Sequence, residues 1–101
     1  MTKPKVTFRN MSTSEALVDH IQDLFQKLRD TFGELTNCEI TLEAPSRHHV
    51  TGHPFRVHIH VHAMRHNYEA TSENEDVYIA TKNIFSQVRK QMDRTLTKLT
   101  S

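Results

Sequence analysis

Hydrophobic and polar residues along this chain fall into six blocks, each with its own period. Val6-Thr7-Phe8-Arg9 places β-branched and aromatic side chains at alternate positions and reads as a short strand. Ser12-Thr13-Ser14-Glu15 then supplies a capping box, with Ser12 at the N-cap and Glu15 at N3. Leu17, Ile21, Leu24, Phe25 and Leu28 follow at helical spacing, and Gly33 stands at the C′ position that glycine favours. Cys38 to Ala44 alternates with period two. Pro45 to Pro54 is a polar loop carrying Arg47, His48, His49, Gly52 and His53. Phe55 to His62 is the cleanest strand, with Phe55, Val57, Ile59 and Val61 on one face and Arg56, His58, His60 and His62 on the other. A shorter strand is expected from about Asn67 to Ser72, with Tyr68 and Ala70 facing inward. From Asp76 to about Leu99, the residues Val77, Thr81, Ile84, Val88, Met92, Thr95 and Leu99 form one helical stripe. Asp76 stands at its start and Arg94 and Lys98 near its end, as the helix dipole prefers.

The expected order is β-α-β-β-β-α. Two helices with one apolar stripe each must cover one face of a four-stranded sheet, leaving the polar strand positions to water or a partner. The first β-α-β step is expected to be a right-handed parallel crossover and the later strands to form hairpins, giving an α+β fold with a mixed sheet. Residues 1–101 show no repeat, low-complexity tract or linker and read as a single domain. An apolar content of 36% is low for a globular chain, and a bare sheet face accounts for it. No apolar run approaches the roughly 20 residues that span a bilayer, and no signal peptide follows Met1-Thr2-Lys3-Pro4-Lys5. A lone Cys38 leaves no disulfide framework and fits a reducing compartment. A cytoplasmic protein with no membrane partner is expected.

Thirteen Lys and Arg against twelve Asp and Glu leave a net charge of +1, but the charges are unevenly placed. Between Val77 and Leu99, Lys82, Arg89, Lys90, Arg94 and Lys98 face a single acid, Asp93. Lys90, Arg94 and Lys98 recur every four residues and share one side of the helix. The first helix is opposite in sign, with Glu15, Asp19, Asp23 and Asp30 against Lys27 and Arg29. A basic row of this kind suits a phosphate backbone, where Lys and Arg give affinity without reading bases. It also suits a solvated helix face, which is what a charge run usually is.

The eight histidines bring a second kind of chemistry. Imidazoles two residues apart on a strand are about 6.5–7 Å apart at the backbone, so two of His58, His60 and His62 can chelate a metal, with Glu39, Glu43 or His66 as a further ligand. The same face also fits cross-strand pairing with Glu39, Thr41, Glu43, Glu69 and Thr71, or contact with RNA. Catalysis finds no support. Cys38 alternates with Ile40 and Leu42 as a small buried hydrophobe. Gly33 and Gly52 make no phosphate loop, and no spacing selects a Ser-His-Asp triad. Phe8, Phe55 and Tyr68 belong to inward faces, which leaves no aromatic platform for stacking bases. Three readings stand: a polyanion-binding domain, a metal-binding protein built on the histidine strand, and a regulatory protein-interaction module. No cofactor and no small-molecule substrate are expected.

Two segments resemble a known family. Arg9-Asn10-Met11-Ser12-Thr13-Ser14-Glu15-Ala16-Leu17, with Ile21 and Lys27-Leu28, is similar to the opening strand and helix of the ribosome hibernation factors, also called ribosome-associated inhibitor or sigma-54 modulation proteins. Glu75-Asp76-Val77-Tyr78-Ile79-Ala80 and Arg89-Lys90-Gln91-Met92 resemble the start and the later basic stretch of that family's last helix. The element order agrees, so the resemblance covers nearly the whole chain, and by length it is to the short hibernation-promoting type. It implies a non-enzymatic stress or stationary-phase protein that binds the small ribosomal subunit in the decoding channel, between head and body, and inactivates translation. It implies rRNA backbone contacts at Arg89 and Lys90, and the charge pattern adds Lys82 and Arg94 as expected contacts, with Arg56, Arg65, His58, His60 and His62 as further ones. In the short type it also implies a separate ribosome modulation factor for the dimerising step. The match at Tyr78 and Ala80 points to packing rather than contact. Lys82 stands where the family usually has an acid, and the three histidines where it is usually richer in Lys and Arg.

Overall fold

The computed structural model describes residues 3–33, 35–45 and 54–100, which form β1 (Lys5–Arg9), α1 (Glu15–Phe32), β2 (Asn37–Glu43), β3 (Phe55–Ala63), β4 (His66–Asn74) and α2 (Val77–Thr100). Arg47, His48, His49, Gly52 and His53 of the expected polar loop lie outside the described residues, as does the side chain of Leu99. The strands make one sheet in the order β1-β2-β3-β4, with β1 parallel to β2 and the other neighbours antiparallel. The β-α-β-β-β-α order and the mixed sheet are those the hydrophobic pattern predicts.

The core follows from two periods meeting. Alternation in the strands buries Cys38, Ile40, Leu42, Val57, Ile59, Val61, Tyr68 and Ala70 on one sheet face. Helical spacing buries Leu17, Ile21, Phe25 and Leu28 of α1 and Ala80, Ile84, Phe85, Val88 and Met92 of α2 against them. Thr81 is fully buried in the α2 stripe and is satisfied by donating its hydroxyl to Val77 O at 2.7 Å. Cutting a fully buried isoleucine such as Ile21 or Ile84 back to Ala costs about 2–5 kcal/mol. Since β4 runs with β2 and β1, the two helices run side by side in the same direction. The result is a two-layer slab of 50 × 26 × 17 Å.

The start of α1 differs from the capping box read at Ser12. Ser14 is the N-cap: its Oγ accepts from Leu17 N–H at 3.2 Å, and Val18 N–H donates to Ser14 O at 3.0 Å. Asn10 is left-handed (φ 57°) and Met11 packs against the core, so the chain coils two residues later than expected. Both serines suit an N-cap by residue type, and the capping box with Glu15 favours Ser12, so the local pattern points to the wrong one. At the other end Gly33 (φ 85°) donates its N–H to Arg29 O at 2.7 Å. β4 is longer than expected because it pairs with β3 from His66 to Asn74. Met64 (φ 52°) and Arg65 (φ 63°) make the two-residue turn between them, both left-handed as the twist of a hairpin requires. Without glycine that conformation costs about 1–2 kcal/mol per residue.

Candidate nucleic-acid interface

The basic helix is positioned at its first turn. Asp76 Oδ1 accepts from Tyr78 N–H at 2.9 Å and from Ile79 N–H at 3.4 Å, while Asn74 Oδ1 accepts from Asp76 N–H at 2.8 Å. With the apolar stripe then held on the sheet, Lys82, Arg89, Lys90, Arg94 and Lys98 are all exposed. At about 100° per residue they divide into two sets. Lys82 and Arg89 share the flank facing α1. Lys90, Arg94 and Lys98 occupy the flank away from it. Gln91 fixes the rotation by donating from Nε2 to Glu69 O of β4 at 2.9 Å, which also covers an outward carbonyl of an edge strand.

The first set meets a cation from the otherwise acidic α1. Lys27 of α1 joins Lys82 and Arg89 around an open groove of about 250 Å³, floored by Leu24, Leu28 and Phe85. None of the three cations has an ion pair or hydrogen bond among the described residues. Like charges held together without an acid raise the local potential and favour a polyanion. The signal for Lys27 was its position between Leu24 and Leu28, on the border of the stripe that docks against α2. Averaging the sign of the whole helix concealed it.

Tyr78 packs on His20, with ring centroids 5.2 Å apart, so α2 begins partway along α1 and outruns it by nearly three turns, about 15 Å at 1.5 Å per residue. Arg94 and Lys98 project on this overhang, with Asp93 and Thr97 beside them. Because α2 runs against β4, the turn carrying Arg65 lies at the same end of the slab. Ala80 is buried, and Tyr78, though 41% exposed, packs one side of its ring on His20.

Arg56, His58, His60 and His62 lie on the opposite side of the sheet. The register sets them in rows across four strands: Arg9-Glu43-Arg56-Glu73, Thr7-Thr41-His58-Thr71, Lys5-Glu39-His60-Glu69 and, at the far end, Asn37-His62-Asn67. Arg56 Nε donates to Glu73 Oε1 at 3.1 Å, so this arginine is already paired. His60 Nε2–H and His62 Nδ1–H both donate to Asn67 Oδ1, at 3.1 and 3.0 Å. His58 Nδ1 is 3.0 Å from Thr71 Oγ1, and its Nε2 is 3.9 Å from Glu69 Oε1. Cross-strand pairing therefore describes this face. Among the described residues, no three His, Cys, Asp or Glu side chains gather into a metal-ligand set. The residues proposed from sequence thus fall on two faces of the slab. The sheet separates the α2 cations from Arg56 and the three histidines.

Cys38 lies on the sheet's buried face, opposite Val61. Desolvation, with the neighbouring Glu39 carboxylate, pushes its thiol up to about 12, so it is no thiolate nucleophile at neutral pH. Tyr68 is buried and Phe8 is packed against the core, which leaves neither free to stack on a base. Among the described residues, no helix is long and apolar enough to cross a membrane.

A family model described as "Sigma 54 modulation protein / S30EA ribosomal protein" matches residues 5–100. Among solved structures, the N-terminal domain of Protein Y from Thermus thermophilus is similar with a TM-score of 0.76 at 23% identity, covering 94% of this chain and 99% of that one. A ribosomal subunit interface protein from Coxiella burnetii is similar with a TM-score of 0.79 at 17% identity, covering 96% and 99%. At these identities the likeness is one of fold. No curated protein matches the chain significantly.

Proposed function

Because the chain belongs to the Sigma 54 modulation protein / S30EA ribosomal protein family, we propose that it binds the small ribosomal subunit through rRNA backbone and holds ribosomes inactive under stress or in stationary phase. The observation that carries this reading is the interhelical groove. Lys27, Lys82 and Arg89 stand there unpaired among the described residues, with an opening that a phosphate can enter. Lys90 and Arg94 extend the cationic surface along α2, and Arg65 adds a charge at the end toward which they point. Phosphate contacts of this kind release counterions and depend little on base identity. That Tyr68 is buried and Phe8 is packed against the core agrees with that. A slab 17 Å thick suits a cleft with RNA on both sides, and the decoding channel between head and body is such a place.

In this reading the protein is a non-enzymatic occupant of the ribosome, acts in the cytoplasm, needs no cofactor, and leaves any dimerising step to a separate modulation factor. The name of the Coxiella burnetii structure, a ribosomal subunit interface protein, supports the choice of partner. The test is sedimentation with purified ribosomal subunits at low salt. The protein is expected to travel with the small subunit. If it stays at the top of the gradient, the reading is wrong.

A further inference from the structure

We propose that the outer face of the sheet is a second RNA-contact surface, turned from anionic to cationic by protonation of His58, His60 and His62. The proposal rests on the ribosome-binding reading above for its partner. Among the described residues, the register places the charged groups of that face, and the charges below are counted over them. β1 contributes Lys5 and Arg9, β2 Glu39 and Glu43, β3 Arg56, and β4 Glu69 and Glu73, with Thr7, Asn37, Thr41, Asn67 and Thr71 as the uncharged polar positions. Three cations against four carboxylates give the face a charge of −1 while the imidazoles are neutral. Three imidazolium groups make it +2. Carboxylates, lysine and arginine keep their charge across pH 7.5 to 6, and imidazole is the side chain that changes it there.

The geometry accepts the charged form without rearrangement. The ring nitrogens already engaged all face oxygens: Asn67 Oδ1 twice, Thr71 Oγ1, and Glu69 Oε1 at longer range. His60 Nδ1 and His62 Nε2 have no partner among the described residues, and each becomes an N–H donor on protonation. Three like charges about 6.5–7 Å apart along one strand repel. Glu39 and Glu69, opposite His60 on either side, relieve that repulsion. The face lies on the side of the sheet away from the helices, so its own charged groups are those nearest a partner that meets it. A phosphate brought against it favours the imidazolium form. Binding then takes up protons, and by linkage affinity rises as pH falls.

The test measures affinity for purified small ribosomal subunits, and for heparin as a polyanion without ribosomal structure, at pH 7.5 and 6.0 and fixed ionic strength. Wild type is compared with the His58→Gln/His60→Gln/His62→Gln variant. Glutamine keeps a donor for Asn67 and Thr71, and circular dichroism at both pH values checks the fold. Should the triple variant not fold, single His60→Gln and His62→Gln variants take its place. Wild-type affinity for both probes is expected to rise about fivefold or more on acidification, within the limit of about tenfold per imidazole for each unit of pKa shift. Its salt slope should steepen by about 2.1–2.7, from three added contacts at roughly 0.7–0.9 each. In the variant the extra rise and steepening should be lost. Equal pH dependence in both proteins overturns the proposal while leaving ribosome binding intact, because the rise then belongs to the other histidines. A histidine-dependent rise on heparin with no subunit binding at either pH supports the charge switch and overturns the ribosomal partner. A histidine-dependent rise on polyglutamate with none on subunits also overturns the RNA contact, in favour of an acidic protein surface.

Discussion

Replacing Arg89 and Lys90 together by Ala isolates the electrostatic mechanism, because each belongs to a different flank of α2. Both side chains are exposed, while Val88 and Met92 beside them are fully buried and stay in place. Alanine is the best helix former, so stability should change by less than about 0.5 kcal/mol. If Lys82, Arg89, Lys90 and Arg94 each neutralise one phosphate, the slope of log affinity against log salt is about −2.8 to −3.6, at 0.7–0.9 per contact. Raising salt from about 50 to 200 mM then weakens wild-type binding about 50- to 150-fold. With two contacts left the slope is about −1.4 to −1.8, and the same change weakens the variant only about 7- to 12-fold. Co-sedimentation with small ribosomal subunits across a salt series gives both slopes, and urea unfolding gives the stability control. A variant with the wild-type slope would refute phosphate contact by these residues. A salt-independent wild type would refute the mechanism altogether.

Two further outcomes follow from the core. Tyr68 OH is buried without a hydrogen-bond partner among the described residues, so Tyr68→Phe should raise stability by about 1 kcal/mol in urea unfolding; a loss of that size would mean the hydroxyl is bonded. Cys38 has its pKa raised from 9.0 to about 12, so its contribution to stability is intact below pH 9 and is lost as pH climbs toward 12, because the unfolded thiol ionises first. Relative to Cys38→Val, the wild type should lose about 1.4 kcal/mol per pH unit above 9, and parallel stability curves for the two proteins would contradict the burial argument.

The fold was legible because each element has an unbroken period and the two periods demand complementary faces. Leu17, Ile21, Phe25 and Leu28 can be buried together only by a helix, and Val57, Ile59 and Val61 only by a strand. Boundaries were less legible where two residues satisfy one local rule. Ser12 and Ser14 are both acceptable caps, and the left-handed turn at Asn10 that selects the second is a property of the packed chain. The length of β4 was hidden for a related reason. Glu73 and Asn74 look like loop residues until β3 is laid beside them, when Arg56 pairs with Glu73 and the ladder continues.

The site divided along the same line. Exposure of Lys82, Arg89, Lys90 and Arg94 follows from the phase of one helix, so a single sequence window contains it. The grouping of Lys27 with Lys82 and Arg89 does not, because it depends on α1 and α2 lying parallel and in contact, with His20 against Tyr78 and Leu24 near Phe85. Arg56 and the histidines show the converse: each stands on the outer side of its own strand, yet its partners Glu73, Asn67 and Thr71 come from the next one. The chain's net charge of +1 is therefore the least informative of its electrostatic properties. It sums a groove with three cations unpaired among the described residues, a paired sheet face near neutrality and an acidic outer surface on α1. A partner meets these one at a time.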